Sequence, residues 1–191
     1  MNKKPKLLIS ECLCGVSCRY DGKDNYIGKL PLLKEMFDLV PVCPEVLGGL
    51  STPRDPAERQ GERICTANGT DVTKEFLIGA QNTLDIAFQN GCNRALMKAK
   101  SPSCGYKRIY DGTFSKTLRD GHGCTVEALL KNNIEVYTED DLDLLIGQKK
   151  EMSFNSSLFV FYYFTITLTG YYYIIICFTD NRLICLTQYK K

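Results

Sequence analysis

Four short apolar runs set the strongest limit on the fold of this chain: KLLIS (6–10), LVPVC (39–43), ALMKA (95–99) and IEVYT (134–138). Each is partly β-branched and bounded by turn formers, as strands are. Helical periodicity fills the spaces between them. PLLKEMF (31–37) begins with Pro31, which suits the start of a helix. From Thr73 to Asn90, residues Phe76, Leu77, Ala80, Leu84, Ala87 and Phe88 recur at spacings of three and four and predict one buried face. Thr73 is the expected N-cap of that helix and Gly91 its expected terminator. TVEALLKNN (125–133) predicts a third helix, capped by Thr125.

Strands separated by helices predict an α/β fold: a Rossmann-like, mostly parallel sheet covered by helices, with its site at the carboxyl ends of the strands. The alternation ends near residue 147, so residues 1–147 are expected to form the α/β domain. Residues 148–191 are a different kind of sequence, an aromatic-rich hydrophobic tail. From Glu151 onward the chain holds 11 of its 20 Phe and Tyr residues, and 158–178 runs for 21 residues without a charge. That length can span a bilayer, so a membrane partner is expected only if 158–178 is inserted. The competing readings are a β-rich hydrophobic extension and a read-through product.

Charge narrows the partners. Residues 1–150 carry 21 Lys and Arg against 20 Asp and Glu, with no block of like charge. No nucleic-acid partner is expected from such a balance, and a small substrate fits better. The oligomeric state is not legible. The opening residues lack a sustained apolar export segment, so an intracellular, cytoplasmic setting with reduced thiols is expected.

The ten cysteines then become candidate ligands or catalytic groups rather than disulfides. Cys12 follows the first strand, Cys43 ends the second and Cys104 follows the third. Loops leaving three strand ends can bring these together across large sequence separations. Cys14 and Cys18 are less certain members: Cys14 could be a core filler and Cys18 a free loop thiol. There is no CxxC pair and only one histidine, His122, so a closed four-ligand zinc site is not indicated by spacing. A three-ligand zinc or a three-thiolate iron–sulfur cluster both stay open. Cys65, Cys92 and Cys177 read as small apolar fillers. His122, between two glycines, reads as a loop residue rather than a base. Glu45, two residues after Cys43, is the candidate general acid or base, with a salt bridge to Arg54 as its competing role. Ser101 and Ser103 flank Pro102 before Cys104, where each could bind substrate or cap a turn.

The motifs ISECLCGVSCRYDG (9–22), CPEVLGGLSTPR (43–54), DVTKEFLIGAQ (71–81), KAKSPSCG (98–105) and IYDGTF (109–114) together resemble the domain-of-unknown-function family 523 (DUF523), whose characterised members are thiouracil desulfidases. The resemblance runs from about Lys6 to about Glu139. It implies a [4Fe-4S] cluster with Cys12, Cys43 and Cys104 as the iron ligands and one iron left open for sulfur. It also implies Glu45 and Ser101 as catalytic residues, the first activating water and the second orienting substrate or water. The implied substrate is a small thiolated nucleobase or nucleoside such as 2-thiouracil, converted to the oxo base with release of hydrosulfide. The chain departs from the family pattern where the usual CLLG reads CLCG. Cys14 or Cys18 could close the open iron, leaving the alternative of a non-catalytic iron–sulfur or zinc-binding scaffold or sensor.

Overall fold

The computed structural model describes residues 4–147, together with the backbone of residues 171–178 and 182–190. All four apolar runs form strands. In chain order the elements are β1 (Lys6–Ser10), α1 (Leu30–Met36), β2 (Asp38–Val42), α2 (Pro44–Leu47), β3 (Ala57–Gln60), β4 (Arg63–Thr66), α3 (Thr73–Asn90), β5 (Arg94–Met97), β6 (Arg108–Tyr110), β7 (Leu118–Asp120), α4 (Cys124–Lys131) and β8 (Glu135–Thr138). Strands β2, β1, β5 and β8 lie in that order in one sheet, and every neighbouring pair is parallel. The protein therefore has the α/β fold expected. Two antiparallel hairpins, β3–β4 and β6–β7, stand outside this sheet and have no counterpart among the expected elements.

The sheet is buried on both faces, which is why its strands read as continuous apolar runs. Side chains alternate across the pleat. Leu8, Ala95, Met97 and Val136 share one core with Leu84 and Ala87 of α3 and with Val126 and Leu129 of α4. Leu7, Ile9 and Leu96, at the intervening positions, are also fully buried.

The connection from β1 runs outward to β2, and the chain then crosses back to place β5 on the other side of β1. The carboxyl ends of β1 and β5 thus flank the point where strand order reverses. Parallel sheets leave a crevice at such a point.

The long helix α3 spans the expected residues and ends at Gly91, whose φ of +67° is the left-handed conformation a helix terminator needs. Its buried face is narrower than expected. Phe76, Ala80, Leu84 and Ala87 are buried, whereas Leu77 and Phe88 are 56% and 55% exposed. Gly79 and Thr83 fill the buried stripe instead. The glycine is required by α2, which crosses α3 at backbone distance. A Cβ on Gly79 would lie 1.9 Å from the Pro44 carbonyl oxygen, and one on Gly48 would lie 2.0 Å from that of Glu75.

Two caps also differ from expectation. Thr73 is the first residue of α3, and its amide and hydroxyl both donate to Asp71 Oδ1 (2.9 and 2.6 Å). Those two bonds hold the Asp71 carboxyl below its usual range. Thr125 lies inside α4, fully buried, with its hydroxyl 2.8 Å from that of Ser103. Gly123 takes the capping position because a Cβ there would meet the Ser103 carbonyl oxygen at 2.2 Å.

The α2–α3 crossing matters because α2 carries Cys43 and Glu45 at its start. Gly79→Ala gains helix propensity of about 1 kcal/mol but forces two backbones apart. A net loss of about 2 kcal/mol is expected, read as a lower urea midpoint at unchanged slope. An unchanged midpoint would show that the crossing yields without strain.

Residues 158–170 of the candidate membrane segment lie outside the described residues. Tyr171–Phe178 forms β9, paired antiparallel with β10 (Arg182–Lys190). The hairpin belongs to a compact unit, Ile146–Lys191, and the sheet to another, Met1–Leu145. Among the described residues, no helix is long and apolar enough to cross a membrane.

Candidate active site

Each strand end at the crevice delivers a cysteine. After β1 the chain makes one tight turn, Glu11–Cys14, closed by Gly15 at φ +89°. The Cys12 carbonyl accepts the amides of Gly15 (3.2 Å) and Asn25 (2.9 Å), which ties the turn to the following loop. Arg19 braces that loop through Asp21 (2.9 Å) and Asn25 Oδ1 (2.6 Å). Cys43 leaves β2 in extended conformation as the residue before α2. Cys104 follows β5 in a turn built on Ser101, whose Oγ accepts the amides of Ser103 (3.1 Å) and Cys104 (3.2 Å).

Cys12, Cys43 and Cys104 line one cavity of about 600 Å³, together with Cys18, Glu45 and Ser101. All six are buried or half-buried, and no cysteine is in a disulfide among the described residues. The structure thus brings together Cys12, Cys43, Cys104, Glu45 and Ser101, whereas Ser103 is fully buried against Thr125 and does not line the cavity. It also separates Cys18 from Cys14. Cys18 is buried in the cavity wall beside Cys12 and Cys43, and its carbonyl accepts from the Cys43 thiol at 3.8 Å. Cys14 is half-buried and does not line the cavity.

The thiols perturb one another. The Cys18 thiol beside it draws the Cys12 thiol down to about 7, against the opposing effect of burial, with a smaller contribution from Asn25. The same neighbour lowers Cys43. Cys18 is raised by the same two neighbouring thiols. Burial pushes Cys104 well above the ordinary thiol range.

Opposite the thiols stands a carboxylate held by an arginine. Glu45 Oε2 accepts from Arg54 Nε at 2.7 Å, and Arg54 Nη2 lies 2.7 Å from the same oxygen. Both side chains are largely buried. The salt bridge weighed as a competing role for Glu45 is therefore real, yet it leaves Oε1 turned toward Ser101 Oγ at 3.5 Å. Because Ser101 Oγ already accepts two amides, its own proton is free to point at Glu45. Arg54 donates further to the carbonyls of Cys18 (3.0 Å) and Ser51 (3.0 Å), linking the CxEx loop to the Cys18 loop.

The remaining candidates lie elsewhere. Cys92 sits in the main core and Cys124 in a smaller core with Ile64, Phe76 and Ala80. Cys65 is buried outside the cavity. Cys177 is in β9, where the backbone alone is described. His122 stacks on Tyr106 with centroids 5.3 Å apart, and its Nδ1 accepts the Lys107 amide at 3.1 Å. It does not line the cavity.

Glu58 was not nominated from sequence, and Arg54 only as a salt-bridge partner of Glu45. A signal for Arg54 existed in its place at the end of the STPR run. Glu58 had none, because its partners lie more than fifty residues away.

The donor set is four thiols without an imidazole, which suits iron–sulfur ligation. Among the described residues, no three His, Cys, Asp or Glu side chains gather as a single metal ion requires. A four-iron cluster is a larger body that takes its thiolates at separate corners, so thiols spread around one cavity fit it.

Comparison with known proteins agrees with this chemistry. Residues 7–141 match the family model for 2-thiouracil desulfurase. The uncharacterised protein YbbK of Bacillus subtilis (strain 168) is 39% identical over 147 residues, covering 72% of this chain and 97% of that protein. A solved structure of the [4Fe-4S]-dependent thiouracil desulfidase TudS is 42% identical, with a TM-score of 0.73. The match covers 78% of this chain and 99% of that one.

Proposed function

The chain belongs to the 2-thiouracil desulfurase family, enzymes that act on carbon–sulfur bonds, and from that premise we propose that it hydrolyses the thiocarbonyl of a small thiolated nucleobase or nucleoside such as 2-thiouracil. The observation that carries this reading is the convergence of Cys12, Cys43 and Cys104 with Glu45 and Ser101 on one cavity. Our assignment gives the three cysteines to a [4Fe-4S] cluster. When bound, a cluster with one iron unligated by protein supplies a Lewis acid for the substrate sulfur.

The chain's own groups supply the rest. Arg54 fixes Glu45 Oε2, so Oε1 is the oxygen available to take a proton from water. Ser101 donates toward that same oxygen and holds water or substrate beside it. The carbon–oxygen bond forms, the carbon–sulfur bond breaks, and hydrosulfide leaves with the bonding pair. The proton on Glu45 passes to the departing sulfur, which leaves as hydrosulfide, and the second water proton leaves the new hydroxyl to solvent as the carbonyl forms. The cavity of about 600 Å³ is shared by the cluster and the ring, a volume in the range of small-molecule sites.

We assign this activity to residues 1–147 and to the cytoplasm, where thiols stay reduced. The test is anaerobic incubation of the iron-loaded full chain with 2-thiouracil, following uracil and sulfide together. Equal appearance of both is expected. Bound iron without release of either product would favour the scaffold or sensor reading.

A further inference from the structure

The segment IYDGTF takes no part in moving protons, yet it reaches the site. Tyr110 at the end of β6, with Phe114 and Lys116 of the loop leading to β7, lies on the wall of the thiol cavity. Two features show that its shape is imposed from outside. Phe114 has φ +59°, a conformation that side chains of its size rarely adopt. And Glu58, a carboxylate only 8% exposed, spends one oxygen on two amides of this loop: Gly112 (2.9 Å) and Phe114 (3.0 Å). Gln60 adds a bond from Nε2 to the Gly112 carbonyl at 2.7 Å. Gly112 itself must be glycine, since its φ is +97° and a Cβ would lie 2.8 Å from the Arg59 carbonyl oxygen.

A buried carboxylate is expensive to keep, and binding two amides of an otherwise exposed loop is a specific use for it. Burying Glu58 therefore holds Phe114 against the cavity. Resting on the desulfidase reading above, we propose that Tyr110 and Phe114 form the ring-recognition wall of the site, stacking on the planar face of the thiolated heterocycle. Glu58 is the positioning residue that holds Phe114 there. An aromatic face selects a flat conjugated ring over an aliphatic thioamide, because every nucleobase presents a π-face.

The test uses the cluster-loaded full chain and uracil, the oxo product, so that binding is read without turnover. Phe114→Leu is expected to weaken uracil binding about tenfold to a hundredfold by calorimetry. KM for 2-thiouracil should rise by a similar factor while kcat falls less, with iron content unchanged. Phe114→Tyr should restore binding. Glu58→Leu should reproduce the loss, and Glu58→Gln, which keeps an acceptor oxygen, should recover most of it. Absence of uracil binding by the parent protein, or Phe114→Leu binding as the parent does, would overturn the proposal. Phe114-dependent uracil binding without any desulfidation would support the ring wall and sink the desulfidase reading instead.

Discussion

Replacing Cys12, Cys43 or Cys104 singly by Ala is expected to leave the protein, purified without oxygen, nearly free of iron and acid-labile sulfide. The parent should hold about four of each per chain. The expectation follows from the way these three thiols arrive. Each leaves a different strand end, so each braces a different corner of whatever fills the cavity. Among the described residues Cys104 is the cavity thiol that follows β5, while Cys18 lies beside Cys12 and Cys43. Cys14→Ala should retain the full complement, because Cys14 does not line the cavity. Cys18→Ala should retain most of it. If Cys18→Ala instead empties the site, Cys18 is a ligand, the fourth position is closed, and the scaffold reading leads. Circular dichroism of each variant separates loss of cluster from loss of fold.

The second large effect is expected at Glu45. Glu45→Gln keeps the shape and the Ser101 contact but cannot take a proton, so kcat should fall by about 10²- to 10⁴-fold. Iron and sulfide should stay at the parent level, because Glu45 is a neighbour of the thiols and not one of them. The forked contact from Arg54 makes this a sharp test. It fixes Oε2, so Oε1 is the carboxylate oxygen facing Ser101 and is the one whose loss should matter. A Glu45→Gln enzyme that turns over normally would place the base elsewhere in the cavity. Loss of iron in this variant would make Glu45 a structural brace through Arg54 and the Cys18 loop.

Much of the fold was legible because its signals are local. The runs at 6–10, 39–43, 95–99 and 134–138 are short and bounded by turn formers, and all became parallel strands. The helix from Thr73 to Asn90 was readable from its periodicity and its terminating glycine. Its buried face was not. Leu77 and Phe88 fit the helical spacing but face outward, while Gly79, where α2 lies across α3, is buried, and nothing in the periodicity announces that crossing. The caps failed for the same reason. Thr73 and Thr125 are good capping residues in isolation, yet Asp71 and the approach of Gly123 to Ser103 decided the outcome. The hairpins β3–β4 and β6–β7 are three or four residues per strand and carry no run long enough to read.

By itself the sequence determined an α/β sheet with three cysteines at three strand ends, and so a set of residues able to meet. That much depends on strand order and on where each run stops, which are properties of neighbouring residues. Only the tertiary structure decided that Cys18 joins the thiols while Cys14 does not, and that Arg54 holds one oxygen of Glu45 and leaves the other toward Ser101. It alone brought Glu58 to the loop that carries Phe114. These contacts span between 9 and 56 residues of chain. Their geometry is set by how the loops pack over the sheet, and pairing across such distances leaves no periodic trace in either partner's neighbourhood.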